Sequence, residues 1–148
     1  AQCSEGCALG TRRKEREMAI QMLYTLESNE SDSDDALTTF CAMYHPGGEF
    51  IDFATHLLRG VFQHQKEIDQ IIRKASDHWS LHRMAMVDRS IIRTAVFELL
   101  YCPDIPAKVT IDEAVELAKK FSTDKSSAFI NGILDKVAHQ FSNTKPAA

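Results

Sequence analysis

The sequence predicts an all-α fold, and three observations carry that prediction. Apolar residues recur at helical spacing through most of the 148-residue chain, and the alternation typical of strands appears nowhere. Only 6 glycines and 4 prolines leave little room for a turn-rich β fold. The length is ordinary for one domain with one core. We therefore predict a compact domain of about six to seven helices over residues 11–141. A flexible lead over residues 1–10 precedes it, and a tail over residues 142–148 follows it.

Apolar periodicity and chain-breaking residues set the predicted order of elements. Helices are predicted over residues 11–26, 34–44, 50–75 and 83–101, then from Thr110 onward and from about Asp124 onward. Pro103 and Pro106 stop the fourth of these helices and predict an extended connector after it. Thr110 and Glu113 have the spacing of a capping box, which predicts that the fifth helix begins there.

The predicted first helix has one apolar and one polar face. Five apolar residues at helical spacing form a stripe that must be buried: Met18, Ala19, Met22, Leu23 and Leu26. The opposite side carries Arg13, Glu17, Gln21 and Tyr24, with Ile20 beside them. A basic cluster leads into this polar face and consists of Arg12, Arg13, Lys14 and Arg16. Clustered basic side chains beside a tyrosine make an anionic polymer the first candidate ligand.

Two further helix faces combine positive charge with aromatic rings. Arg89, Arg93 and Phe97 are spaced by four on the fourth predicted helix, with Tyr101 one turn further. Lys125, Phe129, Gly132 and Lys136 line one edge of the last helix. Arginine and lysine supply phosphate contacts, and aromatic rings stack on unpaired bases. The alternative is that Phe97 and Phe129 flank the core while the basic side chains extend past them into solvent.

The net charge of −4 conceals a segregated distribution. Residues 27–35 contain five acidic side chains and no basic one, so the rest of the chain has a net charge of +1. The acidic run should repel phosphate and mark a boundary of any nucleic-acid path. The average charge therefore does not exclude a nucleic-acid ligand.

Constellations for catalysis or metal binding are poor. His78 and His82 are four apart but lack the glutamate of a His-Glu-x-x-His site. No glycine-rich phosphate loop or nucleophile elbow occurs. The four cysteines lack the tight paired spacing of a zinc site and are expected to be free thiols: Cys3, Cys7, Cys41 and Cys102. We predict a binding protein without metal or cofactor, and not an enzyme.

Membrane insertion and secretion are also not indicated. No apolar run approaches the roughly 20 residues that span a bilayer. The basic start is not followed by the uninterrupted apolar core of a secretory signal. The sequence therefore predicts a cytoplasmic protein with no membrane partner.

Four stretches together carry a family resemblance. They are RRKERE with QMLY within residues 12–24, WSLHRMAMVDR at 79–89, AVFELL at 95–100, and IDEAVELAKKF with FINGILD within 111–135. Over residues 11–141 the chain resembles the NusB family of bacterial transcription antitermination factors. It departs from the family pattern at Asp112, where asparagine is usual, and at Ser122, where glycine is usual. A carboxylate at Asp112 is expected to suit the first turn of its helix.

The resemblance implies both a fold and a function. The fold would be all-helical, with two three-helix subdomains. The function would be to bind the single-stranded boxA element of ribosomal RNA leaders, together with the small-subunit ribosomal protein NusE, in the transcription elongation complex. The implied RNA contacts are Arg12, Arg13, Lys14, Arg16, Gln21, Arg93, Lys125, Ser126 and Phe129. Tyr24 and Asp88 would face the protein partner.

Three alternatives remain open at this point. From spacing alone, Asp88 is better placed for a local salt bridge with Arg83 or Arg89 than for a partner. NusB-like domains also occur fused to RNA methyltransferases, although the few residues after Phe141 argue against a catalytic domain here. A homodimeric interaction module would instead use Tyr24, Ile20 and Phe97 for self-contact.

Overall fold

The computed structural model describes residues 8–29, 52–77 and 81–141. The helices in these ranges are α1 (Ala8–Asn29), α2 (Asp52–Ala75), α3 (Met86–Tyr101), α4 (Ala107–Phe121) and α5 (Asp124–Phe141), with a 3-10 turn over Leu81–Arg83. No strand occurs in the described ranges, so the all-α prediction is confirmed. Five α-helices are fewer than the six to seven predicted, and the helix predicted over residues 34–44 lies outside the described residues.

Helix α3 is the centre of the fold. It packs against α1, α2, α4 and α5, and Ile91, Ile92 and Val96 are almost completely buried within that ring of helices. A helix surrounded in this way is apolar on most of its circumference. Its buried polar side chains, Asp88 and Glu98 among them, must therefore find partners on neighbouring helices.

The apolar stripe of α1 is confirmed, with one correction. Ala19, Leu23 and Leu26 are buried, and Met18 and Met22 pack against the core from its edge. Ile20, predicted beside the polar face, is instead only 4% exposed. Helix α1 packs against both α2 and α3, so its buried sector is wider than one stripe and takes in Ile20.

A buried carboxylate joins α1 to the start of α2. Glu15 Oε1 accepts hydrogen bonds from the backbone N–H groups of Phe53 (2.9 Å) and Ala54 (3.1 Å). The first N–H groups of a helix have no partner within the helix, and the positive end of the helix dipole favours an anion. Glu15 thus serves α2 as a cap supplied from another helix, which fixes the orientation of the basic start of α1.

Helix α2 is bent where a single long helix was predicted. His64 departs from helical backbone angles (φ −114°, ψ 17°). One turn earlier, Gly60 lies against the Phe97 ring, and a Cβ at Gly60 would be 2.1 Å from ring carbons of Phe97. Phe97 is therefore buried under α2 at 3% exposure, which corrects its predicted place on a basic and aromatic surface.

The phenol of Tyr101 stacks on His64 with ring centroids 4.2 Å apart and donates a hydrogen bond to the Glu67 carboxylate. This hydrogen bond, with partial burial and the charge of Glu67, raises the pKa of Tyr101 to about 12. The fold favours the neutral phenol, so this stabilisation is complete below the ordinary tyrosine pKa of about 10 and is lost as the pH rises through 12. We expect Glu67→Ala to return the pKa toward about 10.

An absorbance titration of tyrosinate measures this shift in a chain in which Tyr24 and Tyr44 are replaced by phenylalanine. The matched control is Glu116→Ala, which removes an exposed carboxylate from α4. Equal midpoints for the parent and Glu67→Ala would contradict the assigned cause of the shift.

The start of α4 differs from the predicted capping box. The helix begins at Ala107 after Pro106, and the Ile105 N–H donates to the Cys102 carbonyl at 3.1 Å, so the connector is a tight turn and not an extended segment. Thr110 lies inside the helix and is buried. Asp112 is accordingly in the second turn, where the favourable interaction expected with the helix dipole is weaker. Tertiary contacts of Thr110 and Glu113 have replaced their local capping roles.

The structure describes only some of the residues on which the exclusion of metal and membrane binding rests. Cys102 is buried and is in no disulfide, while Cys3, Cys7, Cys41 and the side chains of His78 and His82 lie outside what the structure describes. Within the described ranges, no group of three or more histidine, cysteine, aspartate or glutamate side chains could hold a metal ion. No helix in those ranges is long and apolar enough to cross a membrane.

Candidate nucleic-acid interface

The basic cluster of α1 is divided by the helix, because successive residues are rotated by about 100°. Arg16 points into the core, where it donates from Nε to Glu98 Oε2 (2.9 Å) and from Nη2 to Glu98 Oε1 (2.7 Å). Both side chains are almost inaccessible, at 3% and 2% exposure, and Thr110 Oγ1 also donates to Glu98 Oε1. Arg16, predicted to contact RNA, instead forms a buried ion pair.

Arg12 and Arg13 lie along the two sides of α1. The Arg12 guanidinium lies over the Phe53 ring, 4.7 Å from its centroid, and approaches Asp104 at 3.8 Å. Arg13 forms a two-point ion pair with Glu113 on α4, at 2.9 and 3.2 Å. The hydrogen bonding that Arg13 donates to the Glu113 carboxylate raises the pKa of Arg13. More than half of the Arg13 side chain stays exposed, so Arg13 remains a cation that a ligand can reach.

An exposed polar stripe runs along α1 from Lys14 to Tyr24. Lys14, Gln21 and Tyr24 are exposed and recur at helical spacing. Lys14 has no ion-pair partner among the described residues. Glu17, between them, accepts a hydrogen bond from Lys120 at the end of α4 (2.6 Å). The stripe therefore continues onto a second basic segment from another helix.

The stripe ends at a cleft of about 350 Å³ between α1, α3 and α4. The lining residues are Ile20, Gln21, Tyr24, Thr25, Val87 and Phe121. Tyr24 is 43% exposed at its rim. Asp88, the other residue predicted to face a protein partner, is next in sequence to Val87. Gln21, predicted to contact RNA, lines the same cleft.

Asp88 is joined to the start of α5. Ser126 Oγ donates to Asp88 Oδ2 at 2.8 Å, and Thr123 Oγ1 accepts from the Ser126 N–H at 3.0 Å as the N-cap of α5. The predicted salt bridge to Arg83 or Arg89 is absent from the described residues. Arg89 instead donates to the Leu81 carbonyl (2.8 Å) and holds the 3-10 turn. Asp88 Oδ1 has no hydrogen-bond partner in the part of the chain described.

The outer face of α5 is exposed, as its sequence pattern predicted. Lys125 is exposed and has no ion-pair partner within the described ranges. The Phe129 ring, one turn later, is 39% exposed. Lys136 is exposed, and its ammonium lies 3.5 Å from the carboxylate of Asp77, which is itself largely exposed to solvent. A flat ring between accessible cations suits an unpaired base attached to a phosphate backbone.

A family model described as "NusB family" matches residues 13–139. The chain belongs to the NusB family. A NusB of Geobacter sulfurreducens, a transcription antitermination protein, is 49% identical over 131 residues, which cover 88% of this chain and 95% of the relative. The solved structure of T. maritima NusB superposes with a TM-score of 0.78 at 36% identity, covering 87% of this chain and 91% of that one.

A further solved structure contains antitermination factors NusB and NusE in complex with double-stranded RNA. It matches with a TM-score of 0.79 and covers 89% of this chain and 98% of that one. At 23% identity the similarity is one of fold.

One predicted contact of this NusB-family chain lies apart from α1, α4 and α5. Arg93 on α3 forms a two-point ion pair with Asp69 on α2, at 2.9 and 3.1 Å, and its side chain is only 13% exposed. The Arg93 guanidinium can therefore bind a phosphate only if its ion pair with Asp69 opens.

The prediction missed Lys120 and Phe121 at the end of α4. Phe121 lines the cleft and is exposed, and the Lys120 ammonium lies 5.3 Å from its ring centroid. The two residues are adjacent in sequence, whereas the basic and aromatic faces predicted above consist of residues three or four apart. The position of this pair at a helix end, next to a basic run, was the available signal.

Proposed function

We propose that this NusB-family protein is an RNA-binding adaptor in transcription antitermination and not an enzyme. It binds single-stranded boxA-type leader RNA of ribosomal RNA operons together with NusE, within the transcription elongation complex in the cytoplasm. The observation that carries the proposal is the set of accessible cations and rings on α1, α4 and α5, which continues into the cleft beside Tyr24.

The RNA surface we propose differs from the one expected from sequence by two residues removed and two added. It keeps seven of the expected contacts: Arg12, Arg13, Lys14, Gln21, Lys125, Ser126 and Phe129. Lys120 and Phe121 are added, since both are exposed beside the stripe of α1. Arg16 and Arg93 are assigned to support of the fold, because each is held in a two-point ion pair with little exposed area.

The protein-partner surface we propose is the cleft beside Tyr24. Its lining includes the apolar side chains of Val87 and Phe121 and the exposed Tyr24, whereas Asp88, expected at the partner surface, is buried at 7% exposure and does not line the cleft. Buried apolar area with an aromatic anchor is typical of protein interfaces. Gln21 and Phe121 line this cleft and belong to the proposed RNA surface as well, so the two ligands would be neighbours on the protein.

The test is a titration of a labelled boxA-type RNA at about 50 and 200 mM salt, with and without NusE. We expect the affinity to fall steeply with salt, because phosphate contacts release counterions, and to rise when NusE is present. Absence of RNA binding under all four conditions would overturn the proposal.

A charge variant locates the RNA surface in the same assay. Lys14→Ala with Lys125→Ala should reduce the dependence of log affinity on log salt by about 1.4, since each lysine removed takes away about one phosphate contact and each contact with a single strand contributes about 0.7. The matched control is Arg59→Ala with Lys66→Ala, which removes two exposed cations from α2 and should leave the slope unchanged. Equal slopes for both double variants would place the RNA elsewhere.

Self-association is the alternative use of the cleft. Ile20 and Phe97, expected as self-contacts, are buried within the protomer, so of the three expected residues Tyr24 is the exposed one. Sedimentation over a concentration series separates a homodimer from a monomer that binds NusE. We also propose the two three-helix subdomains of the family and one domain that ends at residue 141, before a tail over 142–148. The domain expected from residue 11 is extended at its start, because α1 begins at Ala8 and the lead expected over 1–10 is shorter by that much.

A further inference from the structure

Two glycines of this fold have opposite surroundings. Gly60 is required by packing, because a Cβ there would lie 2.1 Å from the Phe97 ring. Gly132 is exposed in the middle of α5, and a Cβ there would meet no atom of the described residues within 4 Å. Its backbone is helical, so no unusual conformation requires a glycine. In a helix interior glycine is the least favourable residue apart from proline, and nothing within the described fold compensates for that cost.

The residues around Gly132 indicate what kind of ligand contacts this face of α5. At about 100° per residue, Lys125, Phe129, Gly132 and Lys136 fall within a sector of about 60° on α5. All four positions are exposed. The missing side chain thus leaves a shallow depression where the helix backbone is accessible, with a ring one turn before it and a lysine one turn after it. Glycine at such a place lets another molecule approach the backbone closely.

We propose that the ribose–phosphate chain of the bound RNA crosses α5 in direct contact with the backbone at Gly132, while an unpaired base stacks on Phe129. This inference rests on the proposed function and deepens it. Two cations flank the depression, which favours a polyanion over an apolar peptide, and the ring beside it favours an unpaired base. The pair between Lys136 and Asp77 is solvent-exposed and weak, so Lys136 can turn to a phosphate.

The inference predicts opposite effects of one methyl group on folding and on binding. Gly132→Ala should raise the Tm by about 3 °C, because alanine favours the helix. The same substitution should weaken RNA binding about tenfold, because the methyl group fills the space that the RNA occupies. Gly132→Leu should weaken binding further. Asn131→Ala is the matched control, since it improves helix propensity at an exposed position about 100° away and should leave RNA affinity unchanged.

The readouts are thermal unfolding and RNA titration with the full chain, with Phe129→Ala measured alongside. If the wild-type protein binds no RNA, the proposed function itself is contradicted. If wild type binds RNA and Phe129→Ala weakens it while Gly132→Ala does not, the proposed function stands and the inference about Gly132 is overturned. Loss of NusE binding by Gly132→Ala in the absence of RNA would assign the depression to a protein and would equally overturn it.

Discussion

Replacing Arg16 with alanine should lower the free energy of unfolding by about 3–5 kcal/mol, the range for removing one partner of a buried ion pair. The substitution leaves the Glu98 carboxylate buried at 2% exposure with the Thr110 hydroxyl as its remaining donor among the contacts described above. An unpaired buried charge is far more costly than the pair was favourable. Chemical denaturation measures the change.

Two comparisons make this test of Arg16 specific. Lys14→Ala removes a cation from the same helix two residues earlier, but from an exposed site, and should change stability by less than about 0.5 kcal/mol. Arg16→Met combined with Glu98→Leu removes both charges and should recover most of the loss, because an apolar pair can replace a buried ion pair. If Arg16→Ala proved as mild as Lys14→Ala, Arg16 would not be a structural residue.

The buried position of Arg16 also changes how RNA binding should be tested. Because the family resemblance assigns both Arg13 and Arg16 to RNA, Arg13→Ala with Arg16→Ala is the variant that the sequence alone recommends. Because Arg16 anchors α1 to Glu98 on α3, a weaker RNA affinity of that double variant could not be assigned to lost RNA contacts rather than to lost stability. Lys14, exposed on the same helix, reports on the ligand alone.

Phe129→Ala should lower the affinity for boxA-type RNA by about 5-fold to 150-fold, which corresponds to about 1–3 kcal/mol for the loss of one base-stacking platform. The ring is 39% exposed in the free protein and alanine is a strong helix former, so the unfolding midpoint should hardly move. Titration with RNA and thermal unfolding of the same preparation test both halves of this expectation.

Tyr101→Ala is the control for the loss of an exposed ring. Tyr101 is 37% exposed, but it lies against His64 and Glu67 on the side of α2 and outside the proposed RNA surface. Its removal should leave RNA affinity unchanged. Equal losses for the two variants would extend the RNA path over α3, toward Arg93.

One hydrogen bond joins the start of α5 to the start of α3. Ser126 donates to Asp88 at 2.8 Å, and Asp88 is next in sequence to Val87, which lines the cleft beside Tyr24. The other oxygen of Asp88, Oδ1, has no hydrogen-bond partner among the described residues and is itself buried, so a protein partner does not reach it in this conformation. In the function we propose, the first helix serves both ligands, with Lys14 near its beginning for RNA and Tyr24 near its end for the protein partner.

The sequence by itself determined the features that depend on local spacing. The apolar stripe of α1, the start of α5 at Asp124 and the exposed face with Lys125 and Phe129 could all be predicted. A helix repeats every 3.6 residues, so neighbours three or four apart define its faces without knowledge of the rest of the chain. The family motifs likewise lie within short stretches.

Only the tertiary structure decided which charged residues are available to a ligand. Arg16 and Lys14 have similar chemistry and lie two residues apart, but Arg16 meets Glu98 across 82 positions of sequence and Lys14 meets solvent. Thr110 and Glu113 have the spacing of a cap, yet they serve Glu98 and Arg13 instead. Local pattern specifies the face of one helix, whereas the packing of α3 against its four neighbours determines which faces are covered.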